Sequence, residues 1–223
     1  MTAPRSGADQ RPPRVAVPTT VVFDLGGVLV DWDPRYLYRQ LLPEDEVEAF
    51  LTEVDFMAWN HRADSGGRWA DAVSEHTERF PHRAELLAAY PARFRETLGG
   101  EVPGTVELLR ELHRGGVRLL ALTNWSAETF PHARELFDFL TLFEDVVVSG
   151  EEQLAKPDPA VFALLVDRYG LDARRTVFVD DSPRNVGAAV DAGLVALQFR
   201  DAHRLRADLA GLGLLTGSGG SAP

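Results

Sequence analysis

The chain has 223 residues, of which 45% are hydrophobic and 26% charged; its formal net charge is −11, and it has no cysteine. That length buries one substantial core with room for a small accessory lobe, and the composition is that of a globular protein. The missing cysteines exclude a disulfide scaffold, a thiolate nucleophile and a sulfur-ligated zinc site, while the acidic balance, with no Lys and Arg cluster to offset it, excludes nucleic acid as a partner.

Residues 1–18, rich in Pro, Arg and small side chains, read as a disordered leader without the apolar stretch of a secretion signal. No apolar run is long enough to span a bilayer, so a cytoplasmic protein with no membrane contact is expected. The first β-branched apolar run, Thr19 to Leu25, reads as a buried strand. More than ninety residues separate it from the next such run, and within them Pro34 to Leu98 carries helical periodicity through Leu37, Leu41, Phe50, Val54, Trp69, Val73, Leu86 and Phe94. That is too long for one crossover helix. It predicts an inserted helical cap over 34–98, placed after the first strand and so over the carboxyl ends of the sheet, where ligands bind in such folds.

Beyond the insertion, Val117 to Leu122, Val146 to Ser149, Thr176 to Val179 and Leu194 to Gln198 read as further strands. Helical patterns fall between them at Pro103 to Arg114, Ala127 to Phe137, Pro159 to Tyr169 and Pro183 to Ala192, several opened by proline. Alternating strand and helix predicts an α/β fold, a doubly wound parallel sheet made of 19–33 and 99–215, followed by a disordered Gly and Ser tail over 216–223.

The chemistry-bearing residues stand at strand ends. Asp24 closes the first strand ahead of Gly26-Gly27, and Asp180-Asp181 close the fourth. A carboxylate leaving an apolar strand is costly to desolvate unless paired, and two adjacent ones call for a cation. A lone strand-end Asp commonly caps the following loop, but two such ends weaken that explanation. If the first and fourth strands flank the switch point of the sheet, the three carboxylates converge into an oxygen-rich site of the kind Mg²⁺ prefers. Thr123, Asn124 and Trp125 end the second strand, where hydroxyl and amides could bond a phosphoryl group or merely cap a helix. Lys156 precedes a helix beside Pro157 and is either a solvated charge or a local counter-ion. In the insertion, Trp59, His61 and Arg62 surround a flexible Gly66-Gly67 pair and are read equally as substrate-facing groups or as a polar connection between helices.

The order Asp24, Thr123, Lys156, Asp180-Asp181, each at a strand end or helix start, resembles the four motifs of the haloacid dehalogenase superfamily, and the resemblance covers roughly Val21 to Phe199. The phrase Phe23-Asp24-Leu25-Gly26-Gly27-Val28-Leu29 followed by a helical insert is similar to the subgroup with a C1-type cap, which includes sugar-phosphate phosphatases and the haloacid dehalogenases. The resemblance implies a phosphatase of small phosphorylated metabolites in which Asp24 forms an aspartyl-phosphate, Thr123 and Lys156 hold the phosphoryl oxygens, and Mg²⁺ is bound by Asp24, the Gly26 carbonyl and Asp181 with Asp180 close by. Asn124 and Asn185 are expected as supporting hydrogen bonders.

One position departs from that pattern. Most phosphatases of the superfamily carry a second Asp two residues after the nucleophile as general acid and base, an effect of about 10²–10⁴ in rate; here the position is Gly26. The gap is shared with the haloacid dehalogenases, which makes a 2-haloacid dehalogenase-type hydrolase the first alternative and a non-catalytic phosphate-binding module the second. A phosphatase without the acid should favour good leaving groups, and Asp31, Asp33 and His61 are the sequence's candidates to supply a proton.

Overall fold

The computed structural model describes residues 17–215. The leader expected over 1–18, apart from its last two residues, and the tail expected over 216–223 lie outside the described residues. Along the chain run β1 (Thr20–Phe23), β2 (Val30–Trp32), α1 (Arg35–Tyr38), α2 (Glu44–Glu53), α3 (Phe56–Asp64), α4 (Trp69–Arg79), α5 (Ala84–Ala92) and β3 (Leu98–Glu101). Then follow α6 (Thr105–Arg114), β4 (Arg118–Thr123), α7 (Phe130–Leu136), β5 (Asp145–Val148), α8 (Ser149–Glu152), α9 (Pro159–Tyr169), β6 (Thr176–Asp180), α10 (Pro183–Asp191), β7 (Val195–Gln198) and α11 (Ala202–Gly211).

Five strands form a parallel sheet in the order β5-β4-β1-β6-β7. The chain steps outward from β1 through β4 to β5, then returns to the other side of β1 for β6 and β7, so the order reverses between β1 and β6. These neighbours run in register, Val21 beside Val177 and Phe23 beside Val179, and a further backbone bond from Asp24 to the Val179 carbonyl extends the ladder to the acid. Both faces of the sheet are covered, which explains strands that are apolar at every position. Val21, Phe23, Leu119, Ala121, Val177 and Val179 pack toward one side, and Val22, Leu120, Leu122 and Phe178 toward the other, where they meet Val161, Phe162 and Leu165 of α9. Each large apolar side chain so buried contributes roughly 1.5–3 kcal/mol.

The insertion is helical, as its periodicity requires. Helices α1 to α5 gather Tyr38, Phe50, Phe56, Trp59, Trp69 and Tyr90 into one aromatic cluster, with ring centroids 4.6 Å apart for Tyr38 and Phe50, 4.9 Å for Phe56 and Tyr90 and 5.0 Å for Trp59 and Trp69. The insertion leaves the core through β2 and returns through β3, and these two strands pair antiparallel, Val30 opposite Glu101 and Asp31 opposite Gly100. Across from the sheet, Phe94 meets Trp125 at 5.7 Å, the Trp69 N–H donates to Glu128 Oε1 at 2.9 Å, and the Ser149 hydroxyl donates to the Asp64 carbonyl. Cap and core thus share one continuous apolar cluster.

Candidate active site

The reversal between β1 and β6 places the ends of those strands side by side, and with them Asp24 and Asp180. Lys156 lies between: its Nζ is 2.8 Å from Asp24 Oδ1 and 2.7 Å from Asp180 Oδ2, and all three residues are buried. The ammonium also stands over the Phe178 ring at 5.6 Å. Each group is held from a second direction. Asp24 Oδ1 accepts from the Leu25 N–H at 2.7 Å, and Asp180 accepts from the Ser182 N–H at 2.9 Å and from Asn185 Nδ2 at 3.0 and 3.1 Å. Asn124 grips the main chain of Lys156 at both ends, donating to its carbonyl and accepting from its N–H at 2.8 Å each.

Burial pushes the Asp24 carboxyl upward; the Lys156 charge opposes that rise and the Asp180 charge adds to it. Burial opposes charge on Lys156, but the carboxylates of Asp24 and Asp180 together hold its pKa above the ordinary lysine value. Asp181, at the mouth, is raised by partial burial first and by its neighbour Asp180 second. Oxygens of Asp24, Asp180 and Asp181 lie within 4.8 Å of one another. Three carboxylates against one ammonium leave an excess of negative charge, and Asp181 makes no ion pair among the described residues. The donors are hard oxygens, so a divalent cation such as Mg²⁺ fits the set. Gly27 makes room for the Asp181 carboxylate: with φ at +73°, a Cβ there would stand 2.7 Å from Asp181 Oδ2.

The pocket over this cluster is lined from the core by Asp24, Gly26, Gly27, Asn124, Lys156, Asp181 and Asn185, and from the cap side by Trp32, Met57, Asn60, His61 and Asp64. A small side chamber opens next to Gly26, walled by Trp32, Asn60, Asp64, Tyr90, Phe94, Asn124 and Trp125. The Trp125 indole N–H is buried with no partner among the described residues.

Of the residues singled out in the sequence, Asp24, Gly26, Lys156, Asp180 and Asp181 come together, and Thr123 closes β4 almost fully buried on the other side of β1. Three substrate-side expectations change. Trp59 is 1% exposed, its Nε1 donating to the Ala72 carbonyl at 3.0 Å inside the cap, because a large ring on the inner stripe of α3 is worth more in the aromatic cluster than in solvent. Arg62 points outward and pairs with Glu75. Asn124 reaches the pocket wall, but its amide is used by the Lys156 backbone rather than free for a ligand. His61 and Trp125 do line the site. Among the proposed proton donors, Asp31 is bound by the Tyr36 hydroxyl at 2.8 Å and Asp33 by Arg35, and neither is part of the pocket lining. Trp32, Asn60 and Asp64 carried no assigned role in the sequence reading. Asn60 and Asp64 share the i, i+4 spacing that puts them on one face of α3, which was available as a signal; Trp32 reaches the site through a hairpin that the periodicity did not reveal.

Comparison with known proteins agrees with this geometry. Residues 18–193 match the family model of the haloacid dehalogenase-like hydrolases. The chain is similar to the sesquiterpene phosphatase astK of Aspergillus oryzae, 30% identical over 81% of this chain and 89% of that one, and to the phosphoglycolate phosphatase of Rhodospirillum rubrum, 32% identical over 80% and 78%. Among solved structures, the magnesium complex of the family enzyme bt-2542 from Bacteroides thetaiotaomicron superposes with a TM-score of 0.65 at 20% identity, over 86% of this chain and 100% of that one, and shares the fold. The L-2-haloacid dehalogenase of Xanthobacter autotrophicus does so with a TM-score of 0.61 at 19% identity, over 92% and 84%. The sheet order, the strand-end acids and the match over residues 18–193 agree: the chain belongs to the haloacid dehalogenase-like hydrolases.

Proposed function

We propose that this protein is a Mg²⁺-dependent phosphatase of a small phosphorylated metabolite, with sugar phosphates among its candidate substrates, and that it works through an aspartyl-phosphate on Asp24. The observation that carries the reading is the buried Lys156 bridging Asp24 and Asp180 beside a third carboxylate, Asp181, that makes no ion pair among the described residues. A haloalkanoate site would not require that excess of hard anionic donors. The phosphatase names of the relatives in Aspergillus and Rhodospirillum support the same class.

In this reading an Asp24 oxygen attacks phosphorus from the floor of the pocket while the Lys156 ammonium and the Thr123 hydroxyl hold phosphoryl oxygens. Asp24, the Gly26 carbonyl and Asp181 would hold Mg²⁺, with Asp180 acting through Lys156 or a water. The ion supplies charge neutralisation between an anionic nucleophile and an anionic substrate. Asn124 and Asn185 position Lys156 and Asp180, and the organic part of the substrate lies toward the chamber beside Gly26 and Trp125.

The test is phosphate release from p-nitrophenyl phosphate with and without Mg²⁺, run beside chloride release from 2-chloropropionate. Phosphate release that needs Mg²⁺, vanishes in excess EDTA and vanishes in a folded Asp24→Asn variant is the expected result. Chloride release that persists in EDTA would replace this reading with the dehalogenase one, and neither activity would replace it with a binding module.

A further inference from the structure

Gly26 leaves the nucleophile without a neighbouring carboxyl to protonate the departing oxygen, yet the same pocket contains a carboxyl delivered by the cap. Asp64 is the last residue of α3, and it lines both the main pocket with Asp24 and Lys156 and the side chamber with Gly26. A cap residue thus borders both the pocket over Asp24 and the chamber beside Gly26, toward which the leaving group would lie.

Its orientation is fixed by a chain of hydrogen bonds with one direction. The buried Tyr90 hydroxyl donates to Asn60 Oδ1 at 3.0 Å, so Asn60 must turn its amide donors outward, and Nδ2 gives one to Asp64 Oδ2 at 2.7 Å. That oxygen is therefore an acceptor. The main chain of Asp64 is fixed as well, since its carbonyl accepts from the Ser149 hydroxyl of the core. Enclosure holds the carboxyl well above its ordinary pKa against the bonds from the Ser126 N–H and Asn60, which favours the protonated form that an acid needs. The groups facing it are Asn60 and His61 of its own helix, Tyr90 of α5, Ser126 and Ser149 of the core loops, and Asp24, Lys156 and Asp181 around the pocket. His61, by contrast, is exposed and lies 3.4 Å from the Ser65 hydroxyl.

We infer that Asp64 is the general acid and base of the reaction, taking from the cap the role that Gly26 vacates in the core. The inference rests on the phosphatase reading. In the first half, the Asp24 oxygen bonds to phosphorus, the bond from phosphorus to the leaving oxygen breaks, and the Asp64 proton passes to that oxygen, releasing an alcohol and leaving Asp64 ionised. In the second, water attacks the aspartyl-phosphate, Asp64 takes a proton from it, and the bond from phosphorus to Asp24 breaks. Inorganic phosphate departs, and both aspartates return to their starting states.

The experiment compares p-nitrophenyl phosphate, which needs no acid, with glycerol 3-phosphate, which does, in the full-length protein with Mg²⁺. Asp64→Asn keeps the size of the side chain. It should lower kcat/KM for the alkyl phosphate by about 10²–10⁴ and that for the aryl phosphate far less. The basic limb of the alkyl pH profile should disappear in the variant. Adding Gly26→Asp to Asp64→Asn should restore the alkyl reaction; the added Cβ meets nothing within 4 Å. If Asp64→Asn proves unstable in thermal melts, Asp64→Gly is assayed with added formate, and recovery of the alkyl reaction in proportion to formate supports the role. Equal loss on both substrates with an unchanged pH profile and no rescue, or no loss on either, overturns the assignment of Asp64. Absence of wild-type turnover on both substrates, or full turnover by Asp24→Asn, would instead sink the phosphatase reading itself.

Discussion

Gly26 and Gly27 adjoin in the chain yet face opposite constraints. At Gly26 a Cβ has open space and the backbone stays outside the left-handed region; at Gly27 φ is +73° and a Cβ would collide with Asp181 Oδ2. Gly26→Ala should therefore leave the thermal melt close to wild type. Gly27→Ala should lose roughly 1–2 kcal/mol from the left-handed backbone and, by displacing Asp181, weaken Mg²⁺ binding as well. Melts of both variants with and without Mg²⁺ check this, and equal behaviour of the two would remove the steric role of Gly27. The residue scale is also where the sequence was most informative. Asp24 and Asp180-Asp181 could be picked out because a charge at the end of an apolar strand has so few physical excuses, whereas Lys156, ahead of a helix, gained weight only from its place in the order of motifs. Asp64 was passed over, although its i, i+4 spacing from Asn60 is visible, because a carboxylate on an amphipathic helix is ordinary until the helix is placed over a pocket.

At the scale of elements, each of the five parallel strands and the four longer helices between and beside them was legible, while the four-residue α8 was not, since double burial leaves an unbroken apolar run and only the longer intervening stretches carry helical period. The β2 and β3 pair was hidden: Val30–Trp32 is only three residues long, and Leu98–Glu101 contains two glycines, so neither has a pattern to detect. Helix α11 was hidden too, its apolar stripe being thin, although Asp201 caps it by accepting from the Arg204 N–H. The two readings of Trp59 stay open in the sequence for a similar reason, since a tryptophan on a helix can face either the helix bundle or the substrate. Two substitutions separate these faces. Trp59→Ala should cost about 3–5 kcal/mol in chemical denaturation by opening the aromatic cluster. Trp32→Ala, at the chamber wall, should act chiefly on KM for substrates with a bulky leaving group. A KM effect from Trp59→Ala in a fully folded sample, with none from Trp32→Ala, would reverse the two assignments.

At the scale of the whole molecule, the −11 charge and the uncompensated acids of the pocket make the apo protein electrostatically strained toward cations. Mg²⁺ at a hundredfold excess over its Kd should stabilise the fold by about 2.7 kcal/mol, and in a chain of this size each kcal/mol is worth roughly 2–4 °C in Tm. Asp181→Asn should lose most of that gain; an equal rise in the variant would place the ion elsewhere. The antiparallel pairing of β2 with β3 bears on how such a molecule can diversify. Because the entry and exit strands of the insertion are bonded to each other, they close the chain at the edge of the core before any cap residue is reached, and lengthening what lies between them adds little closure entropy. The stalk behaves as a socket. Helices of another length or sequence could be carried on it without altering the register of the five-stranded sheet, so a lineage, or an engineer, can exchange the helices over the pocket while inheriting the strand-end acids beneath them.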